Sequence, residues 1–225
     1  DEHIRDMFNS NTQLRNELRQ NSRQVRTFFL HKLFLGRISP PEAEEQIALF
    51  GFQEQVAQWE HLAVFTLQID TLDDTRYERK DSDLLLFAIN NMMEEMIPSM
   101  FRFPPVIIDQ TQVTLIGRGG IPLEEFNDYI YKLSEEIQRT TRSFLDLEVS
   151  IGISLPYKTL TKTSRAYQEG MEALKHRIKL GTGVIIPYFS VNSGKHTRVY
   201  FYPMQVENEL IDAITLAEEE RALEL

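Results

Sequence analysis

Two aspartates are the residues best placed for chemistry. Asp70 closes the alternating run Leu62 to Asp70, and Asp109 stands in the turn of Val106-Ile107-Ile108-Asp109-Gln110-Thr111-Gln112-Val113-Thr114-Leu115-Ile116. Two carboxylates at strand ends can hold one hard cation, because such ions prefer oxygen ligands. The plainer reading is that Asp70 caps a strand end and Asp109 opens a turn through local hydrogen bonds. Other constellations are weak. His3, His31, His61, His176 and His196 share no metal-ligand spacing. The absence of Cys removes thiolate ligands and disulfides and fits a reducing compartment. Gly117-Arg118-Gly119-Gly120 lacks the Gly-Lys-Ser/Thr ending of a phosphate loop. Ser150-Ile151-Gly152 lacks the Gly-x-Ser-x-Gly pattern of a nucleophile elbow. Arg76, Arg79 and Lys80 form a small basic patch beside Asp70, Asp73 and Asp74, as solvated loops often do. No catalytic residue, metal site or cofactor is expected.

The elements that would position these residues are legible in the periodicity. Ala63, Phe65, Leu67 and Ile69 alternate with Val64, Thr66 and Gln68, which predicts a strand with one face well buried. A helix is expected from about Asp83 to Ile97, stopped by Pro98, with Leu85, Ala88, Ile89, Met92 and Met96 inward. Residues 106–116 read as strand, tight turn, strand. Leu123 to Arg142 reads as a helix and Leu147 to Ser154 as a strand. Thr159 or Thr161 to Leu180 is the next helix, with Gly181-Thr182-Gly183 closing it. Val184 to Tyr188 and His196 to Tyr202 read as further strands, and Pro203 opens a last helix. The order β-α-β-β-α-β-α and then a strand predicts an α+β fold of ferredoxin-like or palm type, its helices on one face of the sheet.

The N-terminal 35 residues read as one long helix. Ile4, Met7, Asn11, Leu14, Leu18, Asn21, Val25 and Phe28 recur in steps of three and four, the seam of a two-stranded coiled coil. Asn at two seam positions costs stability and specifies register. The bland alternative is an amphipathic helix packed on its own domain. Gly36-Arg37-Ile38-Ser39-Pro40-Pro41 breaks the helix, and Ser39 is the expected N-cap of a short helix through Phe50. The expected divisions are a coiled-coil helix (1–35), a linker with a short helix (36–58), the α+β domain (59–202) and an exit helix (203–225).

The chain has 225 residues, 42% hydrophobic and 26% charged, with a net charge of -10. An acidic chain is a poor nonspecific partner for nucleic acid, which needs clustered Lys and Arg. No run of about 18 apolar residues and no signal peptide is visible. The chain opens without Met and ends within a helical pattern, as a piece of a longer protein would.

The hairpin, the strand Leu147-Glu148-Val149-Ser150-Ile151-Gly152-Ile153-Ser154 and the helix end Glu172-Ala173-Leu174-Lys175-His176-Arg177-Ile178-Lys179-Leu180-Gly181 together resemble the GGDEF family of diguanylate cyclases. The resemblance covers roughly residues 60 to 190. It implies a palm-like nucleotidyl transferase using two divalent cations, and on that pattern the signature is degenerate. Asp109-Gln110-Thr111-Gln112-Val113 stands where the family has Gly-Gly-Asp-Glu-Phe. Asp70 matches the first metal carboxylate. Gln112 matches the metal-holding Glu, and a neutral amide is a weak ligand for Mg²⁺. The family's Phe-Lys is replaced by Leu72-Asp73-Asp74, and its phosphate-neutralising Lys falls on Ile178. The inhibitory Arg-x-x-Asp motif has no match in Met100-Phe101-Arg102-Phe103. Asp70 and Asp109 would be at most a vestigial metal pair.

The flanking helices extend the resemblance to membrane-anchored AraC-type transcription regulators of Gram-positive bacteria. That implies a cytoplasmic, non-catalytic module that dimerises and relays a signal. DNA and membrane would be reached only through domains outside this chain. The alternative implied is a receptor that binds a nucleotide or another small molecule in the vacated cyclase pocket.

Overall fold

The computed structural model describes residues 21–72 and 75–192. These form one compact unit that runs to Val191. The expected strand His196 to Tyr202, the exit helix 203–225 and the seam residues Ile4, Met7, Asn11, Leu14 and Leu18 lie outside the described residues.

A helix, α1, occupies residues 21–34. It is followed by α2 (Pro40–Leu49), α3 (Gln53–Ala57), β1 (His61–Ile69) and α4 (Ser82–Met96). Next come β2 (Val106–Ile108), β3 (Thr111–Arg118), α5 (Leu123–Leu145) and β4 (Val149–Ile153). Then α6 (Thr163–Lys175), α7 (Arg177–Leu180), β5 (Ile185–Pro187) and α8 (Tyr188–Asn192) complete it. The sheet order is β2-β3-β1-β4-β5. β1 pairs antiparallel with both β3 and β4, β2 with β3 antiparallel, and β5 with β4 parallel. The first four strands with α4 and α5 are the expected ferredoxin-like arrangement, and β5 extends it.

Helices cover both faces of the sheet, not one as expected. Alternation along β1 sends Ala63, Phe65 and Leu67 toward α4 and α5, where Ile89, Met93, Phe126, Ile130 and Ile137 pack. Leu62 and Val64 face the other way, into a second cluster with Phe29, Leu33 and Phe34 of α1, Ile47 of α2 and Tyr167 of α6. Burial on both faces is why β1 carries a continuous apolar run (Leu62 to Phe65) within its alternation. Each large side chain fully buried here contributes roughly 1.5–3 kcal/mol. The segment expected as a linker, residues 36–58, is itself core: Ala43, Ile47 and Phe52 are buried in the second cluster. Phe52 lies 4.8 Å from Phe103, and Trp59 5.2 Å from the same ring.

Local signals explain the helix ends. Ser39 is the N-cap of α2, its Oγ accepting from the Glu42 backbone N–H at 3.4 Å, with Pro40 and Pro41 following. α4 begins at Ser82, and its inward residues are Leu85, Leu86, Ile89 and Met93. Leu85 and Ile89 are inward as expected and Met96 packs against the core, while Leu86 and Met93, rather than Ala88 and Met92, complete the buried face. The expected helix ending at Leu180 is two pieces, α6 and α7, separated at His176.

One close approach positions the site. A Cβ on Gly152 of β4 would lie 2.2 Å from the Gly170 carbonyl oxygen of α6, and one on Gly170 would lie 2.9 Å from Thr66 Oγ1. Bare backbone at both positions lets α6 lie directly on β1 and β4. This packing presents α7 to the end of β1.

Candidate functional site

The site is the end of the sheet where β1 finishes, the β2–β3 turn folds over and α4 begins. The turn residues Asp109 and Gln110 have φ of 45° and 62°. Two consecutive left-handed residues make the tight turn that matches strand twist, and Ile108 pairs with Thr111 across it. Glycine would adopt such φ values without strain. Here a longer side chain occupies each, at a backbone cost of about 1 kcal/mol per residue.

Gln110 uses its side chain as a strap. Its Nε2 donates to Asp83 Oδ1 at 3.0 Å, and its Oε1 accepts from Ser82 Oγ at 2.9 Å. The hairpin tip is thereby tied to the first turn of α4. Asp109, also exposed, belongs to the other side of the turn. Burial first, and then the negative charge of Asp109, pushes the Tyr167 hydroxyl of α6 upward. Thr111 is buried and its Oγ1 accepts from Gln68 Nε2 at 2.6 Å. Gln112 is fully buried, faces the α4/α5 side and donates to Thr114 Oγ1. Its Oε1 is a buried acceptor without a partner. Val113 is core. Of the five signature residues only Gln110 lines the cleft at this end.

Asp70 is the centre of a different construction. Its side chain is 2% exposed. Oδ1 accepts from Arg177 Nη1 at 3.1 Å, and Oδ2 accepts from Ser150 Oγ at 2.9 Å and from the Gly183 backbone N–H at 2.7 Å. One carboxylate thus joins the end of β1 to β4, to α7 and to the turn into β5. Ser150 extends the network by accepting from the Val184 N–H at 3.3 Å. A buried charge requires such pairing, since desolvation otherwise disfavours it strongly. Sequence reasoning missed Arg177, Ser150 and Gly183. They lie 80 to 113 positions from Asp70, with no local pattern to mark them. Ile178, the position that the resemblance matches to a phosphate-neutralising Lys, is 86% exposed.

A cleft of 580 Å³ remains between Asp70, Thr71, Leu72, Arg79, Lys80, Ser82, Asp83 and Gln110. Asp109 is not in its wall, so the two aspartates considered as a cation pair do not converge there. Among the described residues no group of three or more His, Cys, Asp or Glu could hold a metal. Arg102 is buried and donates to the carbonyls of Ile97 and Glu94, both at 2.9 Å, at the C-terminal end of α4. Gly117 and Gly119 accommodate Trp59 and the Gln58 carbonyl. Their role is packing rather than phosphate binding.

The seam residues on α1 that fall within the described part are exposed. Val25 is 51% and Phe28 65% exposed, while the adjacent Phe29 and Leu30 are buried against the sheet. Lys32 follows one turn later, its Nζ 5.9 Å from the Phe28 ring and paired with Glu42.

The fold places the chain in the α+β class with a ferredoxin-like sheet. The chain is 37% identical over 212 residues, 94% of its length, to an uncharacterized HTH-type transcriptional regulator, YtdP, of Bacillus subtilis (strain 168). It spans 27% of that relative's length. Among solved structures it is similar to the active GGEEF domain of a diguanylate cyclase from Vibrio cholerae, with a TM-score of 0.45 and 16% identity, covering 63% of this chain and 90% of that one. No family model matches the chain. Among the described residues no helix is long and apolar enough to cross a membrane.

Proposed function

We propose that this chain is a non-catalytic signal-relaying and dimerising module within a bacterial transcription regulator of AraC type. In that reading it passes input from an upstream, membrane-anchored sensor to a downstream helix-turn-helix domain, and stands on the cytoplasmic side. The relative at 37% identity, named an HTH-type transcriptional regulator, supports the regulatory setting. The observation that carries the non-catalytic part is the Asp70 hub. A carboxylate that accepts from Arg177, Ser150 and Gly183 has three of its roughly four lone-pair sites filled and its charge already met by a guanidinium, which disfavours a cation there. Gln110, strapped across the start of α4, supports the same reading.

The relay would enter through α1. One face of that helix packs on the sheet through Phe29, Leu30, Leu33 and Phe34. The stripe Asn21, Val25, Phe28 stays outside and continues the seam Ile4, Met7, Asn11, Leu14, Leu18 in register. A second copy is the proposed partner of that stripe, in a parallel coiled coil. A change of rotation in the pair then acts on the domain core, because the same helix belongs to both.

Incubation with GTP and Mg²⁺ or Mn²⁺, analysed by chromatography, tests the first part; no cyclic di-GMP above the buffer control is expected. Product formation by the wild-type chain, lost in Asp70→Asn, would overturn it. The second reading, a nucleotide receptor without turnover, rests on Arg79 and Lys80 in the wall of the 580 Å³ cleft. Saturable GTP binding without product would favour that reading.

A further inference from the structure

A cleft of 980 Å³ lies away from the hairpin. It lies between the end of α1, the joint 36–40, α2, α3 and the 158–161 loop. Its size is at the upper end of the roughly 300–1,000 Å³ usual for small-ligand sites. The floor is apolar: Leu33, Ile47, Trp59 and Leu62 line it, each less than a tenth exposed. The rim carries Glu44 from α2 and Lys158 from the loop, both exposed. Neither forms an ion pair among the described residues.

We propose that this cleft binds a short apolar peptide with free termini. The apolar floor takes the side chains, Glu44 takes the terminal ammonium and Lys158 the terminal carboxylate. The two opposite charges on the rim select against simpler occupants. An apolar anion satisfies Lys158 but is repelled by Glu44, and an apolar cation meets the reverse. A nucleotide needs several cations, and the rim offers one. The cleft is walled by the joint itself: Gly36, with φ of +67°, sits so close to Ser164 of α6 that a Cβ there would lie 2.6 Å from Oγ. An occupant would therefore touch α1, the joint and the domain together. Its effect on signalling rests on the relay reading above, whereas its binding does not.

The test uses the 225-residue chain and its single tryptophan, Trp59, as the fluorescent reporter in the cleft floor. Trileucine is titrated against N-acetyl-trileucine, trileucine amide, triglycine and decanoate. Trileucine should give a saturable change in Trp59 emission. Blocking either terminus should weaken binding about threefold, the scale of a solvent-exposed charge pair. In Glu44→Gln the acetylated and free peptides should bind alike. In Lys158→Gln the amide and free peptides should bind alike. Both substitutions are on exposed side chains, and unchanged thermal melts confirm that each variant is folded. No saturable change with trileucine overturns the proposal. So does equal binding of free and blocked peptides by the wild type, or a decanoate response as strong as trileucine's. If trileucine binds but the chain never self-associates, the site stands and the relay falls. If the chain self-associates but trileucine does not bind, the site alone falls.

Discussion

Replacing Asp70 by Asn is the most direct probe of the hub built on its carboxylate. The carboxylate is 2% exposed and accepts three hydrogen bonds, one of them from a guanidinium that is itself 28% exposed. Asn keeps the shape but offers one acceptor and one NH₂. Whichever way the amide turns, the NH₂ faces either Arg177 or the pair of donors Ser150 and Gly183. Breaking a fully buried ion pair costs about 3–5 kcal/mol. Because Arg177 retains solvent contact, the expected loss is nearer 2–4 kcal/mol. For a chain of this size that corresponds to a fall in Tm of about 5–15 °C, at roughly 2–4 °C per kcal/mol. Arg177→Met should cost at least as much, about 3–5 kcal/mol, because it leaves the buried carboxylate with only the neutral donors Ser150 and Gly183. The double substitution should be less damaging than the sum, since the two side chains share one interaction. Thermal melts and urea titrations of the four proteins give the numbers. A melt of Asp70→Asn within about 1 °C of the wild type, or strict additivity in the double variant, would refute the hub. So would a clear rise in the wild-type melt on adding MgCl₂, since Arg177 already supplies the positive charge.

Phe28→Lys and Val25→Lys should leave the melt nearly unchanged and abolish self-association in analytical ultracentrifugation, whereas Phe29→Ala should cost about 3–5 kcal/mol. A monomeric wild type at high micromolar concentration would remove the second copy from the proposal. Replacing Pro40 and Pro41 with Gly should free the joint and lower induction in a promoter reporter with the full-length regulator, while the sheet still melts cooperatively. Burial holds the Tyr157 hydroxyl well above its ordinary range, against the smaller opposing effect of its hydrogen bond with Thr163. A folded-state pKa raised above the unfolded value of about 10 means stability is full below that pH and falls as pH rises through and beyond it. Tyr157→Phe should flatten that alkaline loss in melts taken between pH 9 and 11, by roughly the tyrosine's share. An unchanged alkaline slope would assign the loss to other groups.

Much of the fold follows from local sequence. Period-two alternation in residues 62–70, the two-residue turn at Asp109 and Gln110, and the Ser39 cap before two prolines each act over a few residues, so each is readable in place. The order of strands and helices then restricts the sheet to few arrangements. The chain alone also places the neutral residues Thr111 and Gln112 just after the hairpin turn. It does not show what these side chains touch. Which face of α1 is buried depends on what lies under it. Val25, Phe28, Phe29 and Leu30 are equally apolar, and only the sheet distinguishes them. The same holds for the 36–58 segment, whose prolines and Gly36 suggest a linker until Phe103 and Trp59 close over it. The use of Asp70 is a tertiary decision throughout. Its partners come from β4, α7 and the turn before β5, and only the packing of α6 on two glycines brings them within hydrogen-bond reach. Local sequence can specify that an aspartate ends a strand. The cation that neutralises it is set by the three-dimensional approach of distant segments, because hydrogen bonds and ion pairs depend on separation in space rather than along the chain.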